Sequence, residues 1–203
     1  MSKKPIIVFE GIESSGKTLH INNVARYLKK NSINYIKIRE PGGSKTSEKI
    51  RKIILNNKSN FNKFTDLLLY LASRSENIEK IIGKNYKKKI ILIDRFTDST
   101  LAYQHYGMGI SKNLIVNLNQ FILKNIKPDF TFLNIVNKKN MKMRLKKRAN
   151  KNRYDKFHIN FYNKVQNGFI KIAKNKKNYL SINSNNEISY NKNIILKKIK
   201  NLI

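Results

Sequence analysis

The apolar positions of this 203-residue chain fall into two alternating patterns. Short, nearly continuous β-branched and apolar runs occupy Ile6–Glu10, Tyr35–Arg39, Lys89–Asp94, Phe130–Ile135 and Tyr179–Ile182. Strands covered on both faces read this way, because neither side of the pleat meets water. Between the runs, helical periodicity predicts helices over about 17–30, 46–55, 64–82, 111–125, 138–149, 157–175 and 191–202. Leu67, Leu68, Leu71 and Ile78 give the third of these its apolar face. Strands alternating with helices build βαβ units with right-handed crossovers, hence a parallel sheet between helical layers. A three-layer α/β fold with a central parallel sheet of about five strands is expected. No repeat, linker or break in composition divides it, so residues 1–203 read as a single domain.

Composition narrows the chemistry. Cysteine is absent, which excludes a disulfide scaffold, a thiolate zinc site and cysteine catalysis. His20, His105 and His158 lie far apart, against a histidine-built metal site. No apolar run approaches the ~20 residues a membrane helix needs. The start, Met1-Ser-Lys-Lys-Pro-Ile-Ile-Val-Phe, runs into Glu10-Gly11 without the length or cleavage site of a signal peptide, so a cytosolic protein is expected. The net charge of +31, from 43 basic and 12 acidic residues, ordinarily points to a polyanion. Here Lys, Asn and Ile supply 35, 30 and 30 residues, three types that share A- and T-rich codons. Arginine, the better phosphate fork, occurs eight times, and the lysines are spread along the whole chain. The charge therefore reads as biased composition over a solvated surface, with no nucleic-acid partner expected. The acidic residues say more: six of twelve (Glu10, Glu13, Glu40, Asp94, Asp98, Asp155) fall inside the motifs below.

Gly11-Ile12-Glu13-Ser14-Ser15-Gly16-Lys17-Thr18 matches G-x-x-x-x-G-K-[ST], with a strand before it and a helix after. Glycines let the backbone aim successive N–H groups at phosphate oxygens, and the helix N-terminus adds its positive end. Lys17 is placed to reach the outer phosphates, and the Thr18 hydroxyl to ligate Mg²⁺. The pattern signals a nucleoside triphosphate without saying what the triphosphate is used for. A second acidic position closes the strand Ile90-Ile91-Leu92-Ile93-Asp94-Arg95, at the carboxyl end where open α/β sheets bind ligands. Asp94 suits Mg²⁺ or its waters, and Arg95 a phosphate. Arg39-Glu40-Pro41-Gly42-Gly43 follows another strand, and Arg74 sits in an otherwise apolar helix. Arg144, Arg148 and Arg153 cluster where apolar periodicity fails, which reads as a mobile basic lid over about 146–157.

Taken together these residues resemble the thymidylate kinase family, the P-loop kinases that pass the γ-phosphoryl group of ATP to dTMP. The resemblance rests on Phe9–Thr18, Arg39–Gly43, Tyr70-Leu-Ala-Ser-Arg74, Asp94-Arg-Phe-Thr-Asp-Ser-Thr-Leu-Ala-Tyr-Gln104 and Asn152-Arg-Tyr-Asp155, in the family's order and spacing. It implies that Gly11–Thr18 and Arg144 hold ATP, that Thr18 and Asp94 hold Mg²⁺ partly through water, and that Glu13 lies near metal and acceptor sugar. Arg39 and Arg95 hold the dTMP phosphate by the same resemblance. Tyr70 stacks on the base, Arg74, Thr100 and Gln104 read it, and Tyr103 lies against the deoxyribose. Arg148 and Arg153 close over the transferring phosphoryl group, joining Lys17, Arg39, Asp94 and Arg95 as the catalytic set. No basic residue lies between Gly11 and Gly16, which is similar to the bacterial type whose catalytic arginine comes from the lid. Dimerisation is likewise implied. The sequence departs from the family's commoner residues at His105, Met108, Asn152, Asp155 and Asn183. Two competing functions share part of the pattern. A deoxynucleoside kinase, or a kinase for another monophosphate, would use the same loop, with Glu13 or Glu40 as base in the former; a P-loop ATPase on nucleic acid would use the basic surface.

Overall fold

The structure, a computed structural model, describes residues 4–203; Met1–Lys3, the head of the N-terminal segment considered above, lie outside them. Five strands, β1 (Ile6–Gly11), β2 (Tyr35–Arg39), β3 (Ile90–Asp94), β4 (Phe130–Ile135) and β5 (Tyr179–Asn183), form one parallel sheet ordered β2-β3-β1-β4-β5. Each expected apolar run is a strand, within one residue at either end. The helices are α1 (Lys17–Lys30), α2 (Lys45–Leu55), α3 (Lys63–Asn77), α4 (Gly83–Asn85), α5 (Thr97–Thr100), α6 (Lys112–Leu123), α7 (Lys138–Lys146), α8 (Ile159–Ala173) and α9 (Ile188–Lys200).

The alternation of the pleat sorts β1 between two cores. Ile7 and Phe9 pack with Ile21, Val24 and Leu28 of α1 and with Ile195 and Ile199 of α9. Ile6 and Val8 face the opposite side, against Ile78, Ile82 and Ile126. On that side Leu133 of β4 meets Tyr162, Val165 and Phe169 of α8. The register sets Phe9 opposite Asp94, and Asp94 opposite Arg39. The carboxyl ends of β1, β2 and β3 therefore finish level, and everything that follows them converges on one rim.

Three segments depart from the sequence expectation. The helix expected over 64–82 stops at Asn77 and continues as a π-helical turn, Ile78–Ile82, before α4. No helix was expected after Arg95, yet α5 runs into a π-helical stretch, Leu101–Gly107. Its residues are poor helix formers; tertiary contacts supply what propensity does not. It packs closely on α8, where a Cβ added at Gly168 would stand 2.6 Å from the Tyr106 ring. The segment expected as a lid carries a short 3-10 turn, Arg153–Lys156, docked with Tyr154 and Asp155 buried.

The start of α5 hangs on one buried carboxylate. Glu10 accepts from Phe96 N (2.8 Å), Ser99 N (3.2 Å) and Ser99 Oγ (2.5 Å), so the last turn of β1 clamps the turn after β3. Burial, with Asp98 adding to it, pushes Glu10 up to about 7. A raised carboxyl binds its proton in the folded chain at pH values where the unfolded chain has released it. Glu10 thus weakens stability as pH rises from about 4.5 to 7. Glu10→Gln should flatten this slope: between pH 5 and 7.5 the wild-type Tm should fall by a few degrees more than the variant's, on the order of the shift expected from such linkage. Parallel curves would remove Glu10 as the titrating group.

Candidate active site

The phosphate loop bends as its glycines require. Gly11 has φ +138°, and a Cβ there would lie 2.4 Å from the Asn134 carbonyl oxygen. Gly16, at φ +89°, caps α1 by backbone alone; the first turn of α1 carries no acidic residue. The positive end of the helix is thereby left for an anion. Lys17 folds back across the loop, its Nζ donating to the Ile12 carbonyl at 2.7 Å and standing 3.4 Å from Ser15 Oγ. Burial, and Arg95 next, lower Lys17 to about 8. Beside it Thr18 Oγ1 donates to Asp94 Oδ2 at 3.0 Å, which joins the loop to the end of β3.

A cavity of about 430 Å³ opens on this rim. Glu13, Ser14, Lys17, Thr18, Asp94 and Arg95 form one wall, and Tyr70, Arg74, Thr100, Tyr103 and Gln104 another. Arg95 donates to Glu13 Oε1 at 2.9 Å and to Ser99 Oγ at 3.3 Å, with its guanidinium 5.1 Å from the Tyr103 ring centroid. Burial opposes that charge, but Tyr103, Glu13 and Asp94 hold Arg95 well above its ordinary value. The Tyr103 hydroxyl donates to the other oxygen of Glu13. Arg74 is 1% exposed. Its Nε donates to Glu40 Oε2 at 2.8 Å, and its Nη1 to Thr100 Oγ1 at 3.0 Å and to Asn119 Oδ1 at 2.6 Å. An arginine so fully tied cannot swing, so it presents a fixed face to the cavity. Tyr70 is pushed up to about 12 by burial and so is neutral near pH 7.

The remaining expected residues divide. Arg39 reaches the cavity but its side chain is 55% exposed and paired with Glu48 at 3.0 Å. Arg144 bridges Ser14 O (3.4 Å) and Ser184 O (2.7 Å), bracing the phosphate loop against the loop after β5. Arg148 lines the cavity and pairs with the buried Asp155 at 2.7 Å. Arg153 does not line it: its guanidinium is held by the Ile54 carbonyl and by Asp66, 4.8 Å from the Tyr154 ring centroid. Ile12 and Ser15 are buried under the loop and contribute backbone and shape rather than exposed side chains.

Several wall residues escaped the sequence. Arg51 of α2 donates to the Pro41 carbonyl at 2.6 Å and closes the acceptor end of the cavity, although it reads as one more cation on an amphipathic helix. Tyr154 lies within a motif quoted above but its aromatic wall was not foreseen. Asp66 and Asn119, which hold other side chains in place, carry no sequence signal beyond polarity inside helices with apolar faces.

A family model of thymidylate kinases matches residues 9–195. The chain belongs to the thymidylate kinase family. It is 41% identical over 167 residues to a thymidylate kinase of Thermosipho africanus, covering 82% of this chain and 83% of that one. Against the thymidylate kinase of the Wolbachia of Brugia malayi the identity is 40% over 169 residues, covering 82% and 80%. The crystal structure of thymidylate kinase from Ehrlichia chaffeensis superposes with a TM-score of 0.78 at 32% identity, covering 98% of this chain and 99% of that one. Membership in this family makes the chain an ATP-dependent kinase that phosphorylates dTMP. Its fold is the P-loop kinase fold, with the parallel sheet of five strands described above. No helix among the described residues is long and apolar enough to cross a membrane.

The lowered Lys17 carries a prediction for this thymidylate kinase. Bound phosphates favour the charged ammonium, so above pH 8 the free enzyme must take up a proton to bind nucleotide. ATP affinity measured by calorimetry should weaken by up to about tenfold per pH unit between 8 and 9.5, with proton uptake on binding. Affinity independent of pH over that range would contradict the assignment.

Proposed function

We propose that this enzyme joins its two substrates across the rim between the phosphate loop and the end of β3. ATP phosphates lie on Gly11–Thr18, with Arg144 bracing the adenine side of the loop. The dTMP phosphate lies against Arg95 and Arg39, and the base sits between Tyr70, Arg74, Thr100 and Gln104. The single observation that carries this reading is Arg95: a cation on the cavity wall, held by Glu13 and Tyr103, beside Lys17 and Asp94. A phosphate acceptor is already anionic, so attack requires alignment and cancellation of repulsion more than a strong base. Lys17, Arg95, Arg39 and Arg148 supply fixed positive charge for that cancellation. Glu13 holds Arg95 rather than taking a proton, which disfavours a hydroxyl acceptor.

The donor set fits a divalent cation. Thr18 Oγ1 and Asp94 Oδ2 are hard oxygen ligands 3.0 Å apart, and among the described residues no group of three acidic, His or Cys side chains could hold a metal unaided. Mg²⁺ commonly binds through one or two protein oxygens plus substrate phosphates. Bound there, it neutralises phosphoryl charge; Thr18 and Asp94 hold it, partly through water.

A homodimer is part of the same proposal. α3 exposes Phe64 and Leu68, and the α6 that packs on it exposes Leu114 and Phe121, the last 84% exposed. An apolar patch on two adjacent helices, together with the family resemblance, supports a helix-to-helix interface between two copies. A cytosolic location accords with a substrate pair of free nucleotides.

An acceptor panel tests the function: dTMP, dUMP, dCMP, AMP, GMP and thymidine under ATP and Mg²⁺, read as ADP release. dTMP should dominate and thymidine should be inert; turnover of thymidine would favour a nucleoside kinase. Arg148→Ala should lower kcat on the order of 10³-fold while KM for dTMP stays within a few-fold, as for other arginines that act on the transferring group. Equal kcat would remove Arg148 from the catalytic set. Phe121→Asp should convert the dimer to monomer by sedimentation; a wild-type monomer would contradict the interface.

A further inference from the structure

Asp66, Tyr70 and Arg74 recur at every fourth residue of α3 and so share one face. Thr100 and Gln104 have the same spacing on the helical segment across the cavity. Two polar rungs join the faces. Arg74 Nη1 donates to Thr100, and Gln104 Nε2 donates to Asp66 Oδ2 at 3.2 Å. Asp66 is 1% exposed, and its other partners are also donors: the Arg153 guanidinium on Oδ1 and the Tyr154 hydroxyl on Oδ2. A carboxylate facing a guanidinium is ionised, and an ionised carboxylate only accepts.

That fixes the sense of the Gln104 amide. Its NH₂ must point at Asp66, which leaves its Oε1 as the end available to the cavity that Gln104 lines. Arg74, on the neighbouring rung, brings donors alone. An acceptor beside a donor matches a pyrimidine imide, whose N3–H lies next to a carbonyl. It mismatches cytosine, which has a bare N3 next to an amino group.

We propose that Asp66 is a specificity-determining positioning residue: by fixing the amide of Gln104, it makes the cavity accept the N3–H of thymine or uracil and reject cytosine. This rests on the acceptor site assigned above. The same carboxylate holds Arg153 and Tyr154, so the base-reading amide and the docked basic segment share one anchor.

The test compares dTMP and dCMP as acceptors for the wild type, Asp66→Asn and Asp66→Glu. An asparagine can donate as well as accept, so Gln104 is freed to turn. The ratio of kcat/KM for dTMP over dCMP should then fall by about tenfold or more, the scale of one mismatched buried hydrogen bond, chiefly through a higher KM for dTMP. Asp66→Glu keeps an acceptor-only group and should restore the ratio to within a few-fold. An unchanged ratio in Asp66→Asn, with dTMP still the preferred acceptor of the wild type, overturns the role of Asp66 alone. A wild type inert toward dTMP overturns the functional reading, and this role with it. Should Asp66→Asn not fold, NMR of the wild type with ¹⁵N3-labelled dTMP decides. The bound imino proton should be protected from solvent exchange, and an unprotected imino proton contradicts the proposal.

Discussion

The ion pair between Arg95 and Glu13 is the constraint on which the site depends. It lies where the end of β3 meets the phosphate loop, and both partners are more than four-fifths removed from water. A buried guanidinium without a counter-charge would be costly, and a fully neutralised one would be useless to a phosphate. Glu13 takes one edge of Arg95 and shares its other oxygen with Tyr103, so the cation is fixed while keeping a face toward the cavity. The parallel register makes this possible by ending β1 and β3 level.

Around that pair the protein repeats one device, a cation immobilised by an acidic or carbonyl partner. Arg74 is tied by Glu40, Arg148 by Asp155, Arg51 by the Pro41 carbonyl and Lys17 by the Ile12 carbonyl. Ready-oriented charge needs little reorganisation when substrate charge arrives, which is where electrostatic catalysis gains most. Several of the chain's few carboxylates thus serve as holders of arginines. This explains their concentration in motifs better than any role as bases. The broad surplus of lysine takes no part in it.

Much of this was legible in the residues. Continuous apolar runs gave all five strands, because strands covered on both faces leave no polar positions to confuse the pattern. The phosphate loop was legible for a different reason: its geometry demands glycines that nothing else substitutes. Arg74 stood out as a cation inside an apolar helix. What stayed hidden was set by tertiary contact. α5 and the π-helical turn beyond it contain threonine, serine and glycine, and they hold together through Glu10 and α8 rather than through propensity. Arg51 and Asp66 read as ordinary surface and first-turn residues, since only the approach of α2 and α3 to the rim gives them partners. The docking of Arg153 on Asp66, away from the cavity, could not be read from a segment whose composition suggested mobility.

The central claim is that two mutually repelling phosphates are brought together by prearranged cations. It is tested most directly by a crystal structure of the enzyme with a bisubstrate analogue, adenosine and thymidine joined through a polyphosphate. The account predicts guanidinium nitrogens of Arg95 and Arg148 and the Lys17 ammonium within hydrogen-bonding distance of phosphate oxygens, with Arg95 still bound to Glu13. Phosphates bound elsewhere, or contacted by mobile surface lysines in place of these three residues, would contradict it.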